Sequence, residues 1–173
     1  MVIAKSRFFI AVCLLALVAA CNEVDNVQQT QAAQSLCIAD FEVCVNPIFD
    51  GTLNGRVGQV TCSASGCHNQ AAGSGGAFKI FANPQPGSSE MLANYFAAKS
   101  FANLNDPAQS KLLLEPLQGV FSITGTHTGG DIFPDTADQC YQAIFTWIST
   151  PVDDRNSSSC GVCVAAALAS CGF

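Results

Sequence analysis

Two cysteines and a histidine stand within seven residues, in the run Cys62-Ser63-Ala64-Ser65-Gly66-Cys67-His68. Two thiols followed directly by an imidazole are what covalent haem attachment needs. Each thiol adds across a vinyl group, and the histidine beside the second cysteine then lies beneath the ring and reaches the iron. The common pattern has two residues between the cysteines. Here there are four, and Gly66 with its two serines would let the extra residues bulge outward while the sulfurs stay within reach. The same residues fit two other chemistries. Cys62 and Cys67 could close a small disulfide loop with His68 on the surface. A structural zinc site takes four ligands, and Cys62, Cys67, His68 and His127 could supply them. His127 is the second of only two histidines and lies in a stretch rich in glycine, from Gly119 to Gly130. Gly125, Gly129 and Gly130 would let the backbone there bend close to a bound group; a solvated loop histidine is the plainer reading.

The other cysteines set a framework around this centre. Of the ten in the chain, Cys13 and Cys21 belong to the N-terminal leader described below. If Cys62 and Cys67 hold a cofactor, Cys37, Cys44, Cys140, Cys160, Cys163 and Cys171 remain for up to three disulfides; otherwise four are possible. Cys37 and Cys44 are seven residues apart, so on one unbroken helix they would share a face but lie about 10 Å apart along the axis. That is too far to pair with each other, so partners elsewhere are expected, such as Cys140 or the tail. Cys160-Gly161-Val162-Cys163 and Cys171 read as staples for a C-terminal extension, with a redox-active CxxC as the rival.

The elements that must position these residues are mostly helical. Ile38, Phe41, Val45 and Ile48 recur at spacings of three and four, which predicts helix over much of 34–48. Residues 51–76, rich in Gly, Ser and Asn, read as mostly loop. Ser88 or Ser89 is a suitable N-cap for a helix over 90–101, with Met91, Leu92, Tyr95, Phe96 and Phe101 on its apolar side. A further short helix is expected over 106–115, with Asp106 as cap and Pro107 at the first helical position, ending at Pro116. The last helix runs from Thr136 or Asp138 to Ser149 and places Tyr141, Ile144, Phe145 and Ile148 on one stripe, beside Trp147. Phe78, Phe81, Phe101, Phe121 and Phe133 add to an aromatic supply that could enclose a flat ligand or simply build a core. No period-two alternation calls for a large sheet.

The chain starts with an address. Lys5 and Arg7 precede an uncharged run from Phe8 to Ala20, too short to span a bilayer comfortably and ending in small residues, as a signal peptide does. Leu17-Val18-Ala19-Ala20-Cys21 resembles the lipobox of bacterial lipoproteins. That resemblance implies cleavage before Cys21, a lipid on its thiol and, with Asn22 next, sorting to the outer membrane, facing the periplasm or the cell surface. More than one acyl chain on the cysteine would make attachment stable. Residues 21–33 then read as a lipidated flexible tether, 34–150 as the functional domain and 151–173 as the cysteine-rich tail. Losing Lys5 and Arg7 leaves five basic against thirteen acidic residues, a net charge of −8. Nucleic acid and anionic lipid surfaces are therefore poor electrostatic partners.

Over residues 45–150 several pieces occur in the order found in single-haem cytochrome c-like domains of secreted and lipid-anchored bacterial proteins, which the chain resembles. They are Pro47-Ile48-Phe49, the CxxxxCH motif with Asn69 after it, Asp106-Pro107 through Ser110 to Leu114, His127-Thr128-Gly129-Gly130 with Phe133, and the closing Trp147-Ile148. The four-residue spacing and the extra cysteines depart from that family's usual pattern. The resemblance implies a small, mostly α, cytochrome c-like haem domain with disulfide-stapled N- and C-terminal extensions. Its cofactor would be haem c, attached at Cys62 and Cys67, with His68 as proximal iron ligand. His127 falls where such domains carry the distal ligand, so bis-histidine ligation is implied, with Met91 as the alternative. Two strong ligands leave no open position for substrate, which points to electron transfer with redox protein partners at the membrane or in the periplasm, not to catalysis. Two other readings stand beside it: a haem peroxidase-like enzyme if the distal position is open, and a disulfide-stapled envelope module without haem.

Overall fold

The computed structural model describes residues 34–55, 58–73, 75–120, 127 and 129–162. The leader, Cys21, the tether, Phe121, Gly125, Cys163 and Cys171 lie outside the described residues. The chain divides into the units Met1–Ala33 and Gln34–Phe173, and all the described residues lie in the second.

The first helical stripe forms as expected but starts late. Ser35 is drawn into an antiparallel bridge with Val152 (Ser35 N–H to Val152 O 3.3 Å, Val152 N–H to Ser35 O 2.7 Å), so the backbone enters extended. Helix then runs through α1 (Ile38–Asp40), a π-helical segment (Phe41–Val45) and α2 (Asn46–Asp50). Phe41, Val45 and Ile48 are buried along it. Cys37 is not on this helix but caps it, and it bonds Cys160 of the tail. Cys44, within the π-helical segment, is also disulfide-bonded.

The described residues of 51–76 are mostly loop, as expected. They open with an antiparallel hairpin, β1 (Leu53–Gly55) and β2 (Gly58–Val60), with Leu53 opposite Val60. Helix α3 (Ser89–Ser100) begins as predicted, with the Ser88 hydroxyl accepting from Met91 N–H at 3.1 Å. Met91 and Tyr95 are buried, whereas Leu92 and Phe96, expected on the same side, are 40% and 44% exposed. The buried face instead takes Asn94, fully enclosed and satisfied: its Oδ1 accepts from Phe81 N–H, and its Nδ2 donates to Phe81 O and Asn46 Oδ1. A buried amide with every bond made is tolerated and locks the register of the two segments it joins.

The segment after Asp106 is two pieces, not one helix. A 3₁₀ turn (Pro107–Gln109) and α4 (Lys111–Leu114) are separated by Ser110 in extended conformation. The cause is the buried Ser110 hydroxyl, which accepts from Asn103 N–H at 2.9 Å and pulls the chain inward, while Asp106 makes no side-chain cap. The last helix, α5 (Gln139–Ser149), is capped by Asp138, whose carboxylate accepts from the N–H groups of Cys140 and Tyr141.

Trp147 on α5 and Tyr95 on α3 fix the segment that leads into α1. Trp147 Nε1–H donates to Cys37 O at 2.9 Å, and Tyr95 O–H donates to Leu36 O at 2.8 Å. Their rings pack on Phe41 with centroids 5.3 and 5.7 Å away. From Phe41 the aromatic contacts continue to Phe49, then to Phe78, and from Phe78 to His68. The core is thus continuous with the residues that carry the chemistry. No helix among the described residues is long and apolar enough to cross a membrane.

Candidate functional site

Cys62 to His68 forms a pair of tight turns closed on themselves. Ala64 N–H donates to Thr61 O, Cys67 N–H to Ala64 O, and His68 N–H back to Cys62 O at 2.9 Å. The four residues between the cysteines are therefore folded, not extended, and both ends of the motif meet. Asn69 holds the knot: its Nδ2 donates to Ser63 O, and its Oδ1 accepts from the N–H groups of Ala71 and Ala72. Ser63 N–H donates to Phe49 O, tying the motif to the end of α2. Cys62 and Cys67 are free thiols and are not bonded to each other. Burial, followed by the neighbouring Cys67 and, more weakly, Asp50, pushes the Cys62 thiol up to about 12. It is therefore protonated at neutral pH.

His68 is clamped by backbone. Its Nδ1 lies 2.9 Å from Phe78 O, and since a carbonyl only accepts, Nδ1 carries the proton and Nε2 keeps a lone pair for a ligand. Burial lowers its pKa, and nearby His127 and Lys79 add to the effect against the opposing carbonyls of Phe78 and Gly75. The neutral imidazole is the metal-binding form. A glycine-rich turn presses on the same ring. A Cβ at Gly75 would fall 2.4 Å from His68 Nδ1 and 2.6 Å from its Cε1, so no side chain fits there. Gly75 N–H donates to Cys67 O at 2.7 Å, and Lys79 Nζ donates to Gly73 O, fastening the turn.

His127 is held in the same manner from the other side of the chain. Its Nδ1 lies 2.9 Å from Gly130 O, and Gly130 N–H donates to His127 O at 2.8 Å. This reciprocal pair needs the positive φ of Gly130, 86°, which glycine adopts without strain. The rings of His68 and His127 lie within 16° of parallel, with centroids 5.9 Å apart. A metal–imidazole bond is about 2 Å and the ring centre lies roughly 1 Å beyond the nitrogen, so two imidazoles sharing one ion end to end have centres roughly 6 Å apart.

All four residues singled out from the sequence, Cys62, Cys67, His68 and His127, line one cleft of about 790 Å³, within the range of small-molecule and cofactor sites. Its remaining wall draws on the other sequence pieces: Ile48 and Phe49 of α2, Leu112 of α4, Gly129 and Phe133, and Ile144 of α5. Met91 is not part of this wall; it is 3% exposed in the core and borders a separate shallow depression with Glu42 and Asn83. Trp147 packs behind the wall, not in it. A compact zinc centre is not what the residues form. Among the described residues, no three of Cys62, Cys67, His68 and His127 bring ligand atoms within 4.8 Å of one another, whereas the ligands of tetrahedral zinc crowd one ion at about 2.0–2.3 Å. The arrangement has instead two near-parallel imidazoles and two free thiols lining one mostly apolar space.

Sequence reasoning alone did not single out Gly75, the carbonyls of Phe78 and Gly130, or Lys111 and Glu115 at the cleft. The glycines were visible as a cluster, but which one meets the ring depends on the turn. Comparisons of the chain with family models, curated proteins and solved structures found no match.

Proposed function

We propose that this protein is a one-electron carrier built around a single c-type haem, attached through Cys62 and Cys67 and ligated by His68 and His127. The observation that carries the reading is the pair of near-parallel imidazoles, 5.9 Å between centres, in the cleft that the two free thiols also line. The donor set fits the group: two histidines with Nδ1 engaged on carbonyls, two thiols free to form thioethers, and walls of Phe, Leu and Ile. When bound, the haem supplies a reversible one-electron couple at iron. The chain's own part is to hold both ligand rings in place through Phe78 and Gly130, and to exclude water with Phe49, Phe78, Leu112 and Phe133. Preset ligands mean little rearrangement between oxidation states. With His68 and His127 both holding the iron, no position would remain for peroxide or another substrate, and histidine in place of methionine would keep the potential lower. A lipid on Cys21 and the short tether after it would hold the acidic domain beside redox partners at a bacterial outer membrane.

The test is intact mass under denaturing conditions with an absorption spectrum of the full-length protein, expressed with cytochrome c maturation and lipoprotein export. A haem mass that stays on the chain, reducible α and Soret bands, and an acylated N-terminal cysteine are expected. An ordinary protein spectrum with Cys62 and Cys67 found in a disulfide would refute the reading.

A further inference from the structure

The cleft is walled largely by apolar side chains and sits in a chain of strong negative charge. Among the described residues that line it, Lys111 is the one Lys or Arg. Its position is set by its neighbours. Ser110 before it is fully buried, with its hydroxyl bound to Asn103 N–H, and Leu112 after it is buried with its N–H donated to Phe101 O at 3.1 Å. With both neighbours drawn inward, Lys111 stands exposed at the edge of the cleft, where a lysine stem can lie along apolar surface while the ammonium stays at the mouth. Glu115, one turn later, also borders the cleft and repels an anion.

A haem is not wholly apolar, since it carries two carboxylates on one edge. A carboxylate is driven out of an apolar wall unless a cation or several donors meet it. The Cys62–His68 motif and His127 would fix the ring, so its acidic edge must fall somewhere definite on the rim. We propose that Lys111 forms the subsite that receives an ionised carboxylate of the cofactor in this cleft. The proposal rests on the haem reading above and adds the orientation of the ring within the site. A charge-assisted bond of this kind is stronger than a neutral one and restrains the edge it holds. Held there, Lys111 would also set a fixed positive charge at the edge of the bound haem, which would favour the reduced state.

The experiment uses the full-length haem-loaded protein and the variants Lys111→Gln and Lys111→Arg, with Lys99→Gln as control. Lys99 lies in the last turn of α3 and does not line the cleft. Resonance Raman spectroscopy reads the haem carboxylate bending bands, and a spectroelectrochemical titration reads the midpoint potential. Lys111→Gln is expected to shift one carboxylate band and lower the potential, Lys111→Arg to restore both, and Lys99→Gln to leave both at the wild-type values. Haem-loaded Lys111→Gln protein with wild-type bands would overturn this proposal and leave the haem reading intact. A wild-type chain that carries no haem would overturn both.

Discussion

Replacing Gly75 with alanine tests the clamp on His68 more directly than removing His68 itself. The new Cβ would sit 2.4 Å from His68 Nδ1, 2.6 Å from Cε1 and 2.8 Å from Cys67 O. All three approaches are well inside van der Waals contact, so either the turn retreats or the imidazole rotates. The turn resists, because Gly75 N–H is bonded to Cys67 O and Lys79 Nζ to Gly73 O. The ring is the softer partner, and rotating it breaks the bond to Phe78 O. Overpacking of this kind costs about 1–3 kcal/mol, or a fall in Tm of roughly 2–4 °C per kcal/mol in a chain of this size. Losing the bond that orients a metal-ligating histidine costs roughly 10–100-fold in metal affinity. Gly66→Ala is the matched control, since a Cβ there meets nothing within 4 Å. The assay is thermal unfolding together with the ligand-sensitive α and Soret bands of the two variants. Gly75→Ala should unfold earlier and, on the haem reading, show altered α and Soret bands, while Gly66→Ala matches wild type. If Gly75→Ala kept both the wild-type Tm and the wild-type spectrum, the steric clamp would be wrong.

Three further outcomes follow from the same geometry. On the haem reading, His127→Ala should leave a ligand position open, so the reduced haem-loaded variant binds carbon monoxide where the wild type does not; equal binding by both would refute a ligand role for His127. Breaking the Cys37–Cys160 bridge with serines frees a loop of sequence separation 123 and should cost about 2–5 kcal/mol, read by urea unfolding. Asp138→Ala removes the acceptor for two N–H groups at the start of α5 and should cost about 0.5–2 kcal/mol without changing the spectrum.

Much of the candidate site was legible in the sequence because its chemistry needs particular residue types in local order. Two thiols and an adjacent imidazole announce themselves, and the only other histidine was easily named as their partner. Helix limits set by local caps were legible too: Ser88 and Asp138 act on N–H groups two or three residues away. What failed was decided at a distance. The 106–115 segment breaks in two because buried Ser110 bonds Asn103. Helix α3 buries Asn94 instead of Leu92 or Phe96 because Phe81 and Asn46 offer it a full set of bonds. Cys37 leaves the helix because Ser35 pairs with Val152, and it then meets Cys160. The sequence by itself pointed to the candidate donors, two sulfurs and two imidazoles. Only the tertiary structure brought them to one cleft: spacing along a chain carries no information on which carbonyl will fix a ring, and the near-parallel pose of His68 and His127 depends on Phe78, Gly75 and Gly130 arriving from separate turns.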